Sequence, residues 1–194
     1  MRTMKPWQIA LVLAWISIGV IVLSRSFAGN RLEQGAAPRI EVSLSERRLT
    51  LMQDGERVKS YSIAIGKPSH PTPRGSFSVS RIVWNPGWVP PNSDWAKGKK
   101  PREPGDSSNP MQGVKIYFRD PAYFIHGTNN PASIGEAASH GCIRMQTSEA
   151  VDLARRLMEM SGAGREDGWY SRVTSGNSTT EVRLPRAVSM VISG

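Results

Sequence analysis

The sequence predicts a mainly β fold: one domain, a β-sandwich or mixed sheet with one main α-helix, behind an N-terminal export or transmembrane segment. Three observations predict it. Apolar residues alternate at every second position through most of the body, as half-buried strands require. Only the stretch 147–162 carries a helical apolar stripe. A 17-residue apolar run, 7–23, sits at the N-terminus behind basic residues.

The 194 residues suit one domain with appendages. With 39% hydrophobic and 21% charged residues, the composition is that of an ordinary globular protein. It excludes polytopic membrane, collagen-like and repeat architectures. A single cysteine excludes an internal disulfide framework and any zinc site built from several thiolates.

Residues 1–28 read as a signal peptide or a membrane anchor. Arg2 and Lys5 precede the apolar run, and Ser26 and Ala28 after it suit cleavage beyond Ala28. The run is long for a signal core and short for a spanning helix, which needs about 20 residues. Either way the chain is expected outside the cytoplasm, in the periplasm or cell envelope. It touches the inner membrane if the segment is retained. Residues 29–38 form a polar linker and 39–194 the folded domain. The whole chain carries 25 basic and 16 acidic residues, a net +9, and removing 1–28 takes away three of the basic ones. The excess is spread out, apart from Lys97, Lys99, Lys100 and Arg102. No module interleaves it with stacking aromatics, so a nucleic-acid partner is not expected.

Ile40, Val42 and Leu44, then Leu49 and Leu51, alternate as strands. Asp54-Gly55 marks a tight hairpin, and Tyr61, Ile63 and Ile65 lie on its return. Phe77 and Val79, then Val114, Ile116 and Phe118, then Tyr123 and Ile125 add short strands. Residues 84–113 hold six prolines and no period, and read as a long functional loop whose Trp84, Trp88 and Trp95 line a pocket or pin the loop down. In 147–162, Ala150, Leu153, Ala154, Leu157 and Met158 form the stripe, with Thr147 as N-cap and Gly162 or Gly164 ending the helix. A short helical turn is expected near 169–173. Val182 and Leu184, then Val188, Met190 and Ile192, close the fold, and the chain stops soon after Ile192, which predicts a short final strand.

The chemistry gathers between Phe124 and Met145. Cys142 follows Gly141 shortly before the helix, which predicts a thiol near a helix N-terminus, where the dipole stabilises a thiolate. Gly141 allows close backbone approach, and the N–H groups of 140–142 can serve as an oxyanion hole. His126, at the end of an apolar strand before Gly127, suits a general base. The competing readings are a buried, inert thiol and a zinc site from His126, His140 and Cys142, for which no compact ligand pair is visible. His70 reads as structural or exposed.

His126-Gly127-Thr128 followed by Ser139-His140-Gly141-Cys142-Ile143-Arg144-Met145 resembles the active-site signature of the L,D-transpeptidase family, with its YkuD-type catalytic domain. The opening hairpin, the Thr72-Pro73-Arg74-Gly75 turn and Asn109-Pro110 fit the same likeness over about residues 39–160. The resemblance implies a cysteine acyltransferase acting on peptidoglycan stem peptides and needing no cofactor or metal. Cys142 is then the nucleophile, His126 the base and later the acid, and a backbone carbonyl such as that of Gly127 fixes the imidazole tautomer. Gly141, His140 and Gly127 serve the oxyanion hole and orientation; Ser139 and Arg144 shape the substrate pocket, where Arg144 can pair with a substrate carboxylate, with a structural ion pair as its other reading. Terminal D-Ala leaves a tetrapeptide stem, and an amine acceptor, on a second stem or an envelope lipoprotein, completes a cross-link. Water as acceptor, or cleavage of a link to an envelope lipoprotein, makes the same site a hydrolase. A non-catalytic wall-binding domain is the third reading. No carbohydrate-binding module is visible. Papain-like enzymes place Cys before His, whereas here His126 comes first.

Overall fold

The computed structural model describes residues 37–194. The expectations for residues 1–28 and nearly all of the linker lie outside the described residues. Ten strands and two helices follow in chain order: β1 (Arg39–Ser43), β2 (Arg48–Gln53), β3 (Glu56–Ser62), β4 (Ile65–Gly66), β5 (Gly75–Trp84), β6 (Gln112–Arg119), β7 (Tyr123–Gly127), β8 (Ala137–Ser139), β9 (Ile143–Met145), α1 (Thr147–Ser161), α2 (Asp167–Ser175) and β10 (Thr180–Ser193).

Eight strands make one mixed sheet in the order β3-β2-β1-β10-β5-β6-β7-β9, and β4 pairs with β8 separately. The β2–β3 turn runs through Asp54 at φ 54° and Gly55 at φ 84°, the paired left-handed residues that a tight hairpin demands. Ala64, just beyond β3, bridges to Arg144 of β9 with reciprocal N–H···O bonds of 2.9 Å. That bridge joins the two ends of the strand order, so the sheet curls until it nearly closes.

The alternating residues of the sequence fill the inside of this curl. Ile40, Val42, Leu49, Leu51, Ile116, Ile125 and Met190 are all buried. Helix α1 turns its whole predicted stripe, Ala150 to Met158, into the same core. Gly162, at φ 89°, ends it as expected. At the other end Thr147 is the first helical residue rather than the cap. Its hydroxyl donates instead to the Thr128 carbonyl at 3.2 Å and ties the helix to the end of β7.

One expectation needs revision. The closing strand is not short: β10 runs 14 residues through the middle of the sheet, parallel to β1 and antiparallel to β5, with a register shift between Arg183 and Val188. Pro185, which has no N–H to give the ladder, lies within that shift. Of the two readings of Trp84, the pinning one fits: it lies fully buried at the end of β5, edge-on to Trp169 of α2.

Candidate active site

Strands β6, β7 and β9 bring three polar side chains side by side. In the ladders Lys115 pairs with His126, and His126 pairs with Arg144. Directly paired residues project to the same face. The row Lys115–His126–Arg144 therefore crosses three adjacent strands, with the imidazole in the centre.

His126 is 3% exposed. Its Nδ1 lies 2.8 Å from the Gly127 carbonyl. A carbonyl only accepts, so Nδ1 carries the proton and Nε2 keeps its lone pair. Burial drives the ring pKa down to about 4; the carbonyls of Gly127 and Pro110 oppose this, while Arg144 and Lys115 add repulsion. At neutral pH His126 is an uncharged base. Gly127 has no alternative here, since a Cβ would lie 2.4 Å from the Gln112 carbonyl.

The Ser139–Cys142 turn presents the thiol. Ser139 is buried; its hydroxyl donates to the Cys142 carbonyl and accepts the Gly141 N–H at 3.1 Å. Gly141 sits at φ 109°, and a Cβ there would meet the Tyr123 ring at 2.8 Å. The Gly141 N–H is thus already engaged. The N–H groups of His140 and Cys142 find no protein acceptor among the described residues and are the donors left for an oxyanion.

Cys142 is half-buried, and its Sγ donates to the Ala122 carbonyl at 3.3 Å. It does not sit at a helix N-terminus: it precedes β9, and α1 starts beyond the far end of that strand, about 16 Å of extended chain away. Burial pushes the thiol pKa up, only partly offset by the Phe124 N–H and the charges of Lys115 and Arg144. The expected resting thiolate is therefore replaced by a neutral thiol in the same cleft as a neutral imidazole.

Both groups face one cleft of about 750 Å³. The segment between β5 and β6 forms its opposite wall. Its Trp88 and Trp95 do line the cleft, and Val89 stands at the rim 76% exposed. Trp95 stacks on His140, with ring centroids 4.0 Å apart and planes 10° apart. The His140 ring thus anchors the loop, and burial, with Lys67 and His70 adding repulsion, holds its pKa down to about 4. His70 is exposed and meets His140 edge-on. Arg144 lines the cleft and forms no ion pair with a carboxylate among the described residues. No three His, Cys, Asp or Glu side chains come together as a metal-holding group among the described residues.

Sequence reasoning missed Lys115. The alternation of Val114, Ile116 and Phe118 assigns Lys115 to the opposite face of its strand, but only the pairing with β7 places it beside His126.

A thiol and an imidazole of fixed tautomer facing one cleft, with backbone N–H donors beside the thiol, are the groups that nucleophilic cysteine chemistry requires. The chain belongs to the L,D-transpeptidase family: residues 37–180 match the YkuD family, the L,D-transpeptidase catalytic domain. It is similar to the L,D-transpeptidase homologue YkuD of Bacillus licheniformis, 40% identical over 116 residues, covering 60% of this chain and 58% of that one. It also resembles YqjB of Bacillus subtilis, 35% identical over 125 residues, covering 62% of this chain and 66% of that one. The chain spans between about two fifths and two thirds of the length of the curated relatives it matches. Its fold is shared with an L,D-transpeptidase from Mycobacterium smegmatis (16% identity, TM-score 0.51, covering 81% of this chain and 58% of that one). L,D-transpeptidase 3 from Mycobacterium tuberculosis is similar to the same degree (14% identity, TM-score 0.52, 81% and 61%).

Proposed function

We propose that this chain is a peptidoglycan L,D-transpeptidase that transfers an acyl group from a tetrapeptide stem to an amine through a Cys142 thioester. The observation that carries the reading is the tautomer of His126, whose Nε2 lone pair is kept available in the same cleft as the only thiol in the chain. In this scheme His126 Nε2 takes the Cys142 proton as Sγ attacks the carbonyl of the third stem residue. The N–H groups of His140 and Cys142 stabilise the oxyanion. The imidazolium then protonates the departing D-Ala amine, and a thioester remains. An acceptor amine adds to the thioester, its proton passes to Nε2, and the proton returns to sulfur as the thiolate leaves. Because both groups rest neutral, proton transfer accompanies attack rather than preceding it.

The apolar run 7–23 behind Arg2 and Lys5 supports action outside the cytoplasmic membrane, where such stems are found. Among the described residues no helix is long and apolar enough to cross a membrane.

The test mixes the full chain, solubilised in mild detergent and reduced, with disaccharide-tetrapeptide muropeptides and reads products by mass spectrometry. A dimer lacking one D-Ala is expected, with Cys142→Ala lowering its rate by at least ~10³-fold. Tripeptide monomer alone would move the activity to hydrolysis. Equal product from Cys142→Ala would refute the thioester.

A further inference from the structure

Lys115 has no part in the proton transfers just described, yet it lines the same cleft. Its Nζ donates to the Gly87 carbonyl at 3.2 Å and lies 5.1 Å from the centroid of the Phe124 ring. Arg144 occupies the matching position on the other side of His126. Neither cation has a carboxylate partner among the described residues. Burial lowers the pKa of both, as expected of cations withdrawn from water without a counter-ion.

The rest of the cleft points the same way. Lys99 lines it as a third cation, with Nζ 5.0 Å from the Trp95 ring centroid, and no Asp or Glu lines it at all. Adjacent strands are about 4.8 Å apart, so Lys115 and Arg144 stand two strand spacings apart with the imidazole between. A planar anion lying over that row is within reach of both side chains. The guanidinium offers a fork suited to two oxygens and the ammonium a movable point charge. Two desolvated cations with no internal counter-ion are a recognition device for an anion that arrives with the substrate.

We propose that Lys115 and Arg144 form a carboxylate-binding pair in the cleft, and that Lys115 is a specificity-determining residue selecting acyl donors with a free carboxylate next to the scissile bond. The proposal rests on the acyl-transfer reading above for its substrate. Two stem groups share this chemistry: the C-terminal carboxylate of the departing residue and the side-chain carboxylate of the diamino acid before it.

The first arm needs no turnover. Cys142 is the only cysteine, so alkylation of the full chain reports on one thiol. The rate with iodoacetate, an anion, is divided by the rate with neutral iodoacetamide, and the ratio is compared with that of glutathione. A cation that only favoured the thiolate would speed both reagents and leave the ratio unchanged. The ratio is expected to exceed glutathione's about tenfold, to fall about tenfold in Lys115→Met, and to recover in Lys115→Arg. Urea midpoints establish that each variant is folded. A wild-type ratio equal to glutathione's, or one retained in folded Lys115→Met, overturns the proposal.

The second arm compares kcat/KM for a tetrapeptide donor, its C-terminal amide and its diamino-acid side-chain amide. One amide is expected to lose about tenfold in the wild type and to lose nothing in Lys115→Met, and whichever it is names the carboxylate. Equal use of all three by the wild type overturns the proposal. If no donor turns over at all, the acyl-transfer reading fails instead, and the alkylation ratio still decides whether the cation pair reads anions.

Discussion

On one wall of the cleft, His126, Gly127 and Arg144 are held by strand ladders; on the other, the segment between β5 and β6 is held by side chains. β7 is paired on both sides, with β6 and with β9, so the row Lys115–His126–Arg144 is set by backbone register. The loop has one short backbone pairing, Trp88 with Arg102, and otherwise depends on polar anchors. Buried Asn109 donates to the Pro86 carbonyl at 2.8 Å and accepts the Met111 N–H at 2.8 Å. Gln112 donates to the Asn109 carbonyl at 2.7 Å. The stack of Trp95 on His140 then ties the loop to the turn that carries Cys142. The groups proposed to handle protons sit where the backbone cannot shift by fractions of an ångström, while the wall proposed to admit a peptide rests on contacts that break singly.

The sharpest way to break the ladder wall is Gly127→Ala. The new methyl would meet the Gln112 carbonyl at 2.4 Å and the Thr147 Cα at 3.0 Å, both backbone atoms that cannot rotate away. The β6–β7 pairing and the start of α1 must separate, at a cost of about 3 kcal/mol or more. A large fall in the urea midpoint is expected, together with loss of the proposed acyl transfer. A Gly127→Ala protein with the wild-type midpoint would show that the strands have slack the packing does not indicate.

The second test uses pH. The His126 pKa falls on folding from the ordinary 6.5 to about 4, so the unfolded chain binds this proton first. The stabilisation from keeping the ring neutral is complete above pH 6.5 and is lost as pH falls through about 4. It amounts to roughly 2 kcal/mol lost by pH 5. Unfolding free energies at pH 7 and pH 5 are expected to differ by about that amount more in the wild type than in His126→Gln. The same slope in both proteins would mean the imidazole is hydrated in the folded state. His140, less buried, contributes a smaller part to both.

The contrast between the walls also explains what could be read from the sequence. Strands with period-two alternation, the Asp54-Gly55 hairpin, the stripe of α1 and the pairing of His126 with Cys142 all rest on local pattern or on a motif. The central position of β10 does not: its parallel partner β1 lies some 150 residues away, and nothing in either segment encodes the other. Lys115 escaped notice for the same reason, since a lysine on an alternating strand normally marks a solvated face. The thiol lies away from the helix start because closeness in sequence is not closeness in space: β9 intervenes. In the loop, six prolines reveal that it is long and irregular, but not that Asn109 and Gln112 hold it or that Trp95 finds His140.

The smallest expected effect falls on the loop wall, in Trp95→Ala. An aromatic stack of this kind contributes about 0.5–1.5 kcal/mol, so global stability should hardly move. The docked population of the loop should fall by a factor of about 2 to 10. Two readouts follow from the geometry. The His140 pKa, held down to about 4 chiefly by burial under the loop, should rise towards 6.5 when the indole is removed, a change visible in the titration of its imidazole proton resonances. Iodoacetamide should reach Cys142 several-fold faster, because the same loop bounds the cleft in which the thiol lies. His126, under its own ladder, should keep its depressed pKa. If His126 shifts along with His140, the two walls are one mechanical unit and the loop takes part in setting the base. If neither shifts, some contact other than Trp95 holds the loop closed.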